Sequence, residues 1–365
     1  MSYTKGGVFP DKERFTSTPP ALIMQGMLPY KRFLRPVLFS LPPERSHRLG
    51  ELALRQRTIW RMLAPYYGTK HPSLGTSIAG IQLASPVGVS AGFDKDCRFL
   101  SSLMCLGFGY VVGGTVTLAP QPGNPSPRLL RDRGLEAIIN SLGFPSQGAE
   151  VVAHRLSGGR TRPLIISISG VTPEQMVESL RALEPWADGI EVNISSPNTA
   201  GLRAFHEPDV LKELLERVND ARSKPLFVKM PPYAEEEGRQ RVLELVATAR
   251  EAGVDGVTAA NTRPTVDSRL AVGGGGLSGR PVFENMLRMV ADVRREAGRE
   301  MVVNGCGGVF TAEHALLALE AGADTVQIYT GLIYEGPGIA RRINRGLAKY
   351  LDQRGMKSVT ELKPG

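Results

Sequence analysis

The sequence predicts an α/β protein, a (β/α)8 TIM barrel with an N-terminal helical pair. Two patterns lead to this fold: apolar segments of roughly seven residues recur along the chain, and most precede a stretch with helical periodicity. Apolar runs that alternate with helices are typical of parallel strands buried on both faces, and eight of them favour a closed barrel over an open sheet. The predicted strands are residues 86–92, 110–117, 164–170, 189–195, 225–230, 256–262, 301–307 and 325–330.

The segment before the barrel, residues 27–65, is predicted to form two short helices that break at Leu41-Pro42-Pro43. Between Tyr30 and Arg61 it holds eight Lys or Arg residues and two Glu, mixed with large apolar side chains, in a chain of net charge +8. Such a mixture is typical of helices that lie on a membrane surface. From the pattern alone, a helical hairpin packed on the main domain with a solvated basic face is slightly favoured. Nucleic-acid binding is a weaker alternative, because no stacking platform accompanies the charge.

Two hairpins are expected around the first barrel strands. Residues 76–83 alternate around Gly80 and predict one hairpin, and residues 128–139, between the second and third strands, predict another. The predicted organisation is a poorly ordered N-terminus, a basic amphipathic helical segment, the barrel and a short tail, over residues 1–26, 27–65, 66–351 and 352–365.

The residue inventory argues against several classes of enzyme. The three cysteines lack CxxC spacing, and the five histidines lie away from the predicted strand ends. This arrangement argues against a zinc site and against a histidine-dependent hydrolase. No pair of carboxylates gathers there for glycoside hydrolysis, and Asp94 is the one acid expected near the barrel mouth. No stretch approaches the roughly 20 apolar residues that span a bilayer, and no secretory signal is visible. We therefore expect no metal site and a reducing compartment.

Amide and hydroxyl side chains follow the fourth predicted strand. Asn193, Ser195, Ser196, Asn198 and Thr199 come where that strand ends, which is the end at which barrel enzymes place their chemistry. An amide offers a donor and an acceptor together, as recognition of an imide or amide ring requires. A serine beside these amides could contact a ligand or accept a proton.

Lysines and glycines follow other strands. Lys229 ends the fifth strand, where a buried ammonium group requires an anion or an electron-rich ring edge, and Lys95 follows the first strand. Glycines follow strands seven and eight, whose loops often bind phosphate in such barrels. The glycine-rich run at residues 273–279 could add backbone N–H groups to that site or be a mobile loop. This inventory suits a phosphate-bearing redox cofactor, with the protein supplying orientation and one proton acceptor.

These residues resemble the dihydroorotate dehydrogenase family, specifically its membrane-associated, quinone-dependent class 2. The resemblance runs from about Tyr30 to Leu351. It implies FMN as cofactor, dihydroorotate and orotate as substrate and product, and a membrane quinone as electron acceptor. It also implies peripheral contact with an anionic membrane on the cytoplasmic side of the cell membrane, and no nucleic-acid partner. The matching segments include residues 85–96, 113–117, 120–124, 140–144, 193–203, 275–281 and 327–330.

The resemblance also implies roles for individual residues. Ser196 matches the catalytic base, Thr199 is positioned to help activate it, and Phe144 joins them at the catalytic centre. Arg131 matches an arginine near the quinone. The residues matching FMN contacts are Ala91, Gly92, Phe93, Asp94, Lys95, Thr115, Ser167, Asn193, Lys229, Ala260, Gly279, Gly307, Tyr329 and Thr330. The residues matching substrate contacts are Lys95, Asn140, Ser141, Leu142, Gly143, Phe144, Asn193, Asn198, Asn261 and Thr262.

Three positions depart from the family pattern. Ser167 and Ala260 replace an Asn and a Thr, and each change shortens or deletes a hydrogen bond to FMN worth about 0.5–1.5 kcal/mol. Pro145 replaces an Asn and stiffens a loop over the substrate. These departures leave open a paralogue that oxidises another cyclic amide. An RNA-acting barrel of the dihydrouridine-synthase type is less favoured, because it needs a catalytic Cys at a loop position that Cys306 does not occupy.

Overall fold

A computed structural model describes residues 30–159, 161–196 and 201–364, and in it the eight predicted strands form a closed parallel barrel. The predicted fold class is therefore confirmed. The N-terminus predicted to be poorly ordered lies outside the described residues. In chain order, the strands are β1 Thr76–Ile78, β2 Ile81–Leu83, β3 Val87–Val89, β4 Tyr110–Thr117, β5 Leu129–Asp132, β6 Ala137–Asn140, β7 Leu164–Ser169, β8 Gly189–Asn193, β9 Leu226–Lys229, β10 Gly256–Ala259, β11 Arg263–Val266, β12 Gly274–Gly279, β13 Val302–Cys306 and β14 Thr325–Ile328. Around the barrel the order is β3, β4, β7, β8, β9, β10, β13 and β14.

Helices cover the outside of the barrel, and local sequence sets where several of them begin. Pro173 occupies the first turn of one helix, and the side chain of Thr172 caps it by accepting a hydrogen bond from the backbone of Gln175. The helices are α1 Arg35–Ser40, α2 Pro43–Leu54, α3 Arg57–Tyr67, α4 Leu100–Met104, α5 Ala149–Ser157, α6 Pro173–Leu183, α7 Pro208–Ala221, α8 Glu236–Glu251, α9 Phe283–Ala297, α10 Ala312–Glu320, α11 Thr330–Glu335 and α12 Ile339–Arg354.

The β1–β2 hairpin closes the barrel at the end where its strands begin. Ile78, Ile81 and Leu83 pack against apolar side chains inside the barrel, among them Phe227 and Val302. The two residues of the turn, at positions 79 and 80, have positive φ angles of 47° and 80°, which suits a two-residue hairpin turn. The hairpin predicted over residues 76–83 is confirmed.

A layer of polar side chains fills the middle of the barrel, where branched apolar residues are usual. It comprises Glu191, Thr258, Asn304, Thr325 and the hydroxyl group of Tyr110, and we call it the polar layer. The Tyr110 and Thr325 hydroxyl oxygens lie 2.6 Å apart, and Thr325 donates to Asn304 Oδ1 at 2.6 Å. Thr258 donates to Glu191 Oε2 at 2.8 Å. The barrel interior is therefore apolar at its closed end and polar above it.

A second, four-stranded sheet combines the inserted hairpin with a later part of the chain. Strands β5 and β6 are the hairpin predicted over residues 128–139, which is confirmed, and β12 pairs with β6. The glycine-rich run is thus a strand, and its interpretation as a mobile loop is wrong. The glycines permit close approach, because an added Cβ on Gly276 would lie 1.9 Å from Thr262 Oγ1.

In the described residues the N-terminal segment forms three α-helices, where a pair was predicted, and a short π-helix, Tyr30–Leu34, leads directly into the first of them. The expected break at residues 41–42 is present, and a second break separates α2 from α3 at Arg55 and Gln56. Across this second break, Trp60 Nε1 donates to the carbonyl of Ala53 at 2.8 Å. No Gly or Pro lies at this break, so the local sequence does not predict it. Packing between α2 and α3 accounts for the break.

Contacts between the N-terminal segment and the end of the barrel fix its position. Tyr30 donates its hydroxyl to the carbonyl of Ile333 at 2.6 Å, and Lys31 forms an ion pair with buried Glu335 at 2.5 Å. The ring of Tyr30 lies so close to Gly336 that an added Cβ there would approach it to 2.3 Å. The helices therefore dock on the region around α11.

We expect Gly88→Ala to destabilise the protein by about 1–3 kcal/mol, because overpacking the barrel interior displaces a buried ring. An added Cβ on Gly88 would lie 2.4 Å from ring atoms of Tyr110. The measurement is the free energy of unfolding in urea. Gly134→Ala is the control, since its added Cβ has no neighbour nearer than 3.6 Å. Equal losses in the two variants would contradict the packing described.

Candidate functional site

A cavity of about 510 Å³ lies at the C-terminal end of the barrel and continues beneath the N-terminal helices. Ser196 and Lys229 belong to its wall at the strand ends, and Tyr30, His47 and Trp60 belong to its wall on the helical side. This end of a barrel is where such folds bind substrates. The strand ends and the basic helices, which are far apart in sequence, thus share one cavity.

The side-chain amide of Asn193, at the end of β8, is held by its neighbours. Its Nδ2 donates to Thr115 Oγ1 at 3.0 Å, and its Oδ1 accepts from the Ser195 backbone and hydroxyl at 3.1 and 2.8 Å. Asn261 Nδ2 donates to the Ser195 hydroxyl at 2.9 Å, and the Thr115 and Ser167 hydroxyls lie 3.1 Å apart. This network joins four strand ends, so the amide is oriented by the protein itself.

Lys229 brings a buried ammonium group to the cavity wall. Its side chain is 3% exposed, and it forms no hydrogen bond or ion pair with the residues that the structure describes. Burial alone would lower the pKa of Lys229, but the nearby Cys306 and Glu191 raise it, and the balance lies above its ordinary value. Lys229 is therefore a constant positive charge that suits an anionic or electron-rich group in the cavity.

Two tightly packed glycines, one in the loop after β13 and one in the first turn of α11, supply another part of the wall. Gly308 follows β13 with a φ angle of 70°, and an added Cβ would lie 2.7 Å from Phe283. An added Cβ on Gly331 would lie 2.4 Å from the carbonyl oxygen of Val309. Neither position has room for a side chain, so both place bare backbone at the cavity, which is how many folds bind phosphate.

Charged side chains also line the helical side of the cavity. His47 and Glu51, one turn apart on α2, are in hydrogen-bond contact, with 3.1 Å between Nε2 and Oε1. Burial lowers the pKa of His47, and the hydrogen bond from His47 lowers the pKa of Glu51. Arg131 lies over the ring of Phe39, 4.2 Å from its centroid, and donates to the Phe39 carbonyl at 3.2 Å. The inserted hairpin is thereby attached to α1.

Most residues predicted from sequence to form the site line this cavity. Asn198 and Thr199 lie outside the described residues. Asp94, Ser141, Ser167 and Ala260 do not line the cavity. The predicted residues that do are Ala91, Gly92, Phe93, Lys95, Thr115, Arg131, Asn140, Leu142, Gly143, Phe144, Asn193, Ser196, Lys229, Asn261, Thr262, Gly279, Gly307, Tyr329 and Thr330.

Asp94 differs from expectation because its carboxylate faces the protein and not the barrel mouth. It accepts hydrogen bonds from the backbone N–H groups of Arg98 and Phe99 at 2.8 and 2.7 Å. Burial raises the pKa of Asp94 to about 6. Its role in the structure is to hold the loop between β3 and α4.

Several residues of the wall were missed from sequence. Cys306 and Gln327 occupy inward positions on β13 and β14, each two residues after a residue of the polar layer, Asn304 or Thr325, so the alternation of polar residues along each strand is the signal that could have found them. His47 and Glu51 reach the cavity from a helix, which attention to strand ends overlooks. Burial raises the pKa of the Cys306 thiol, which disfavours a thiolate nucleophile there. Among the described residues, no group of three or more His, Cys, Asp or Glu could hold a metal ion.

Comparison with known proteins gives a consistent result. The family model described as dihydroorotate dehydrogenase matches residues 73–351. A dihydroorotate dehydrogenase (quinone) of Roseiflexus castenholzii is 42% identical over 90% of this chain and 94% of its own length, and one of Roseiflexus sp. is 40% identical over 90% and 96%. The structure of DHODH from Eimeria tenella in complex with ferulenol superposes with a TM-score of 0.77 and 29% identity, covering 89% of this chain and 97% of that one.

We expect Thr115→Val to destabilise the protein by about 1–3 kcal/mol, because it leaves the buried donor of Asn193 without its partner. Thr115→Ser is the matched control, since it retains the hydroxyl group and should lose less than Thr115→Val. The measurement is urea unfolding of both variants. If serine and valine cost the same, the hydroxyl does not hold the network together.

Proposed function

Because the chain belongs to the dihydroorotate dehydrogenase family, we propose that it oxidises dihydroorotate to orotate with bound FMN and passes the electrons to a membrane quinone. The observation that carries this proposal is the single cavity, which joins the polar strand ends to the space beneath the N-terminal helices. A polar ring substrate suits the first part, and an apolar electron acceptor suits the second. One cavity of this kind lets both half-reactions use the same cofactor.

The residues of the cavity fit FMN. Lys229 provides a buried positive charge that makes no hydrogen bond or ion pair within the described residues, suited to the electron-rich edge of the flavin ring. Gly279, Gly307, Gly308 and Thr330 provide exposed backbone for the phosphate. When bound, FMN supplies a two-electron acceptor for the substrate hydride and an electron donor for the quinone.

Amide side chains are proposed to bind the substrate ring. Asn140, Asn193 and Asn261 line the cavity, and their side-chain amides can bind the amide groups of dihydroorotate. Asn193 would do so through the second N–H of its Nδ2, because its Oδ1 already accepts two hydrogen bonds. Lys95 lines the same region and would pair with the substrate carboxylate. The hydrogen bonds that already hold Asn193 reduce the entropy lost when the substrate is ordered.

Ser196 is proposed as the group that accepts the C5 proton of dihydroorotate, while hydride leaves C6. It lines the cavity next to the oriented Asn193 network. A serine hydroxyl is a weak base at its ordinary pKa and needs a neighbour that takes its proton onward. Thr199 is proposed for that role.

We expect Ser196→Ala to lower dihydroorotate-dependent quinone reduction at pH 7 by about 10²–10⁴-fold, the usual contribution of a positioned base. The measurement is the reduction of a soluble quinone by purified, visibly yellow protein. Ser157→Ala, at an exposed hydroxyl on α5, is the control and should retain full activity.

Two results would count against the assignment. Full activity in Ser196→Ala would show that Ser196 is not the catalytic base. If orotate neither binds nor perturbs the flavin spectrum of the wild-type protein, a paralogous substrate becomes the better explanation.

The helical side of the cavity is proposed to receive the quinone. Its wall is largely apolar, with Leu34, Leu38, Phe39 and Leu54 contributing, which suits a quinone ring and the start of its isoprenoid tail. Arg131 is the polar group placed to bind a quinone oxygen. The inserted hairpin that carries Arg131 connects this region to the barrel.

The outer surface of the same helices is proposed as a peripheral membrane-binding surface on the cytoplasmic side of the cell membrane. No helix of the described residues is long and apolar enough to cross a membrane. Large apolar side chains are instead exposed on α1–α3 and the short helix before them, Tyr30–Leu34, interspersed with exposed arginines, the mixture that binds anionic interfaces. Those that do not line the cavity are Phe33, Val37, Leu52, Ile59, Met62, Leu63 and Tyr66, with Arg32, Arg45, Arg48, Arg55, Arg57 and Arg61.

We expect the double variant Phe33→Glu and Met62→Glu to bind anionic vesicles at least about tenfold more weakly, because two exposed anchors become charged. The measurement is co-sedimentation with phosphatidylglycerol-containing vesicles. Activity with a soluble quinone should be unchanged, since neither side chain lines the cavity. Val210→Glu, on α7, is the control and should bind as the wild type does. Equal loss in the control, or no loss in the double variant, would reject this surface.

A further inference from the structure

Glu191 is a fully buried acid that the proposed reaction leaves without a role. Its side chain is 1% exposed in the polar layer. Oε2 accepts the hydrogen bond from Thr258, while Oε1 has no hydrogen-bond partner in the part of the chain that the structure describes. A buried carboxylate is costly unless an opposite charge compensates it. Its presence therefore requires an explanation.

The register of the strands places Glu191 one layer below Lys229. Lys229 pairs with Asn193 on β8 and with Thr258 on β10. Glu191 is two residues before Asn193 and therefore faces the same way, about 6–7 Å deeper along the strand. Thr258, the neighbour of Lys229, is also the hydrogen-bond donor to Glu191. The two charges thus approach each other inside the barrel without touching.

The other titratable groups that face this pair are neutral near pH 7. They are the thiol of Cys306 on β13 and the phenol of Tyr110 on β4. Burial raises the pKa of Cys306 and of Tyr110. Lys229 is left as the cation facing Glu191, and Glu191 as the anion facing Lys229. In a region of low dielectric their attraction remains strong across several ångströms.

We propose that Glu191 is the buried counter-charge of Lys229 and that the polar layer positions it to keep this ammonium group charged at the cavity wall. Glu191 is thus a positioning residue, which acts through Lys229 and does not touch substrate. Resting on the proposed function, this pair would maintain a positive charge beside FMN, where reduction adds electrons. A charge held from inside the barrel leaves the outer side of Lys229 available to the cofactor.

The test is a double-mutant cycle on the unfolding of the full-length protein in excess FMN, with Glu191→Gln, Lys229→Met and the double variant. Glu191→Gln should destabilise the wild type, because it leaves Lys229 uncompensated. In the Lys229→Met background the same change should be neutral or stabilising, because there the carboxylate is the uncompensated group. A loss of equal size in both backgrounds would overturn the proposal.

The pH dependence gives a second readout. In the wild type the pKa of Lys229 is raised, so its contribution to stability is fully present below about 10.5, its ordinary value. In Glu191→Gln the attraction of Glu191 is lost, and because the Cys306 thiol is neutral near pH 7, burial should depress that pKa, so the variant should recover stability as pH rises. Between the depressed pKa of Lys229 and about pH 10.5, the equilibrium constant for unfolding of Glu191→Gln, divided by that of the wild type, should fall by up to about tenfold per pH unit.

A window of pH 6–8 avoids titration of Cys306 and Tyr110. If the ratio of the two unfolding constants does not change across this pH window, and Glu191→Gln loses the same stability in both backgrounds of the cycle, Glu191 has only a structural role. Glu184→Gln is the control, because Glu184 is a buried acid that binds the backbone of Ser223 and Lys224 outside the barrel interior. Its effect should not depend on Lys229 or on pH. Absence of FMN binding in the wild type would reject the proposed function, while the cycle would still decide the charge pair.

Discussion

Closure of the parallel barrel is the constraint on which the rest of this structure depends. Strands that run in the same direction around a closed ring all end at one rim, so side chains and loops distant in sequence must meet there. Asn193, Lys229 and Asn261 meet for this reason. The hairpin at residues 76–83 seals the opposite end, so the barrel can be apolar below and polar above without becoming a channel.

The polar layer is what departs from a usual barrel. Inward positions normally hold branched apolar residues, whereas here hydroxyls, an amide and a carboxylate occupy the middle of the barrel. Their mutual hydrogen bonds lower the cost of burying them. The remaining charge on Glu191 is balanced through Lys229, which connects the stability of the barrel interior to the electrostatics of the cavity above it.

The N-terminal helices complete the cavity instead of forming a separate domain. Tyr30 and Lys31 attach them near α11, and Arg131 attaches the inserted hairpin to α1. The inner face of these helices lines the cavity, while the outer face exposes apolar side chains among arginines. The proposed function would therefore place the electron acceptor against one face of this segment and a membrane surface against the other.

The sequence by itself determined the barrel and both hairpins, because apolar periodicity and turn composition are local signals, and most of the site residues implied by its resemblance to a known family line the cavity. It did not reveal the second break before α3, the strand formed by residues 274–279, or the inward orientation of Asp94. Each of these depends on contacts with distant residues. Glu191 was hidden for a similar reason: its strand is apolar on the face toward the helices, and that signal masks a single inward charge. Only the tertiary structure placed Glu191 beneath Lys229. The two charges face each other because of the register between neighbouring strands, and the sequence of either strand alone does not specify that register.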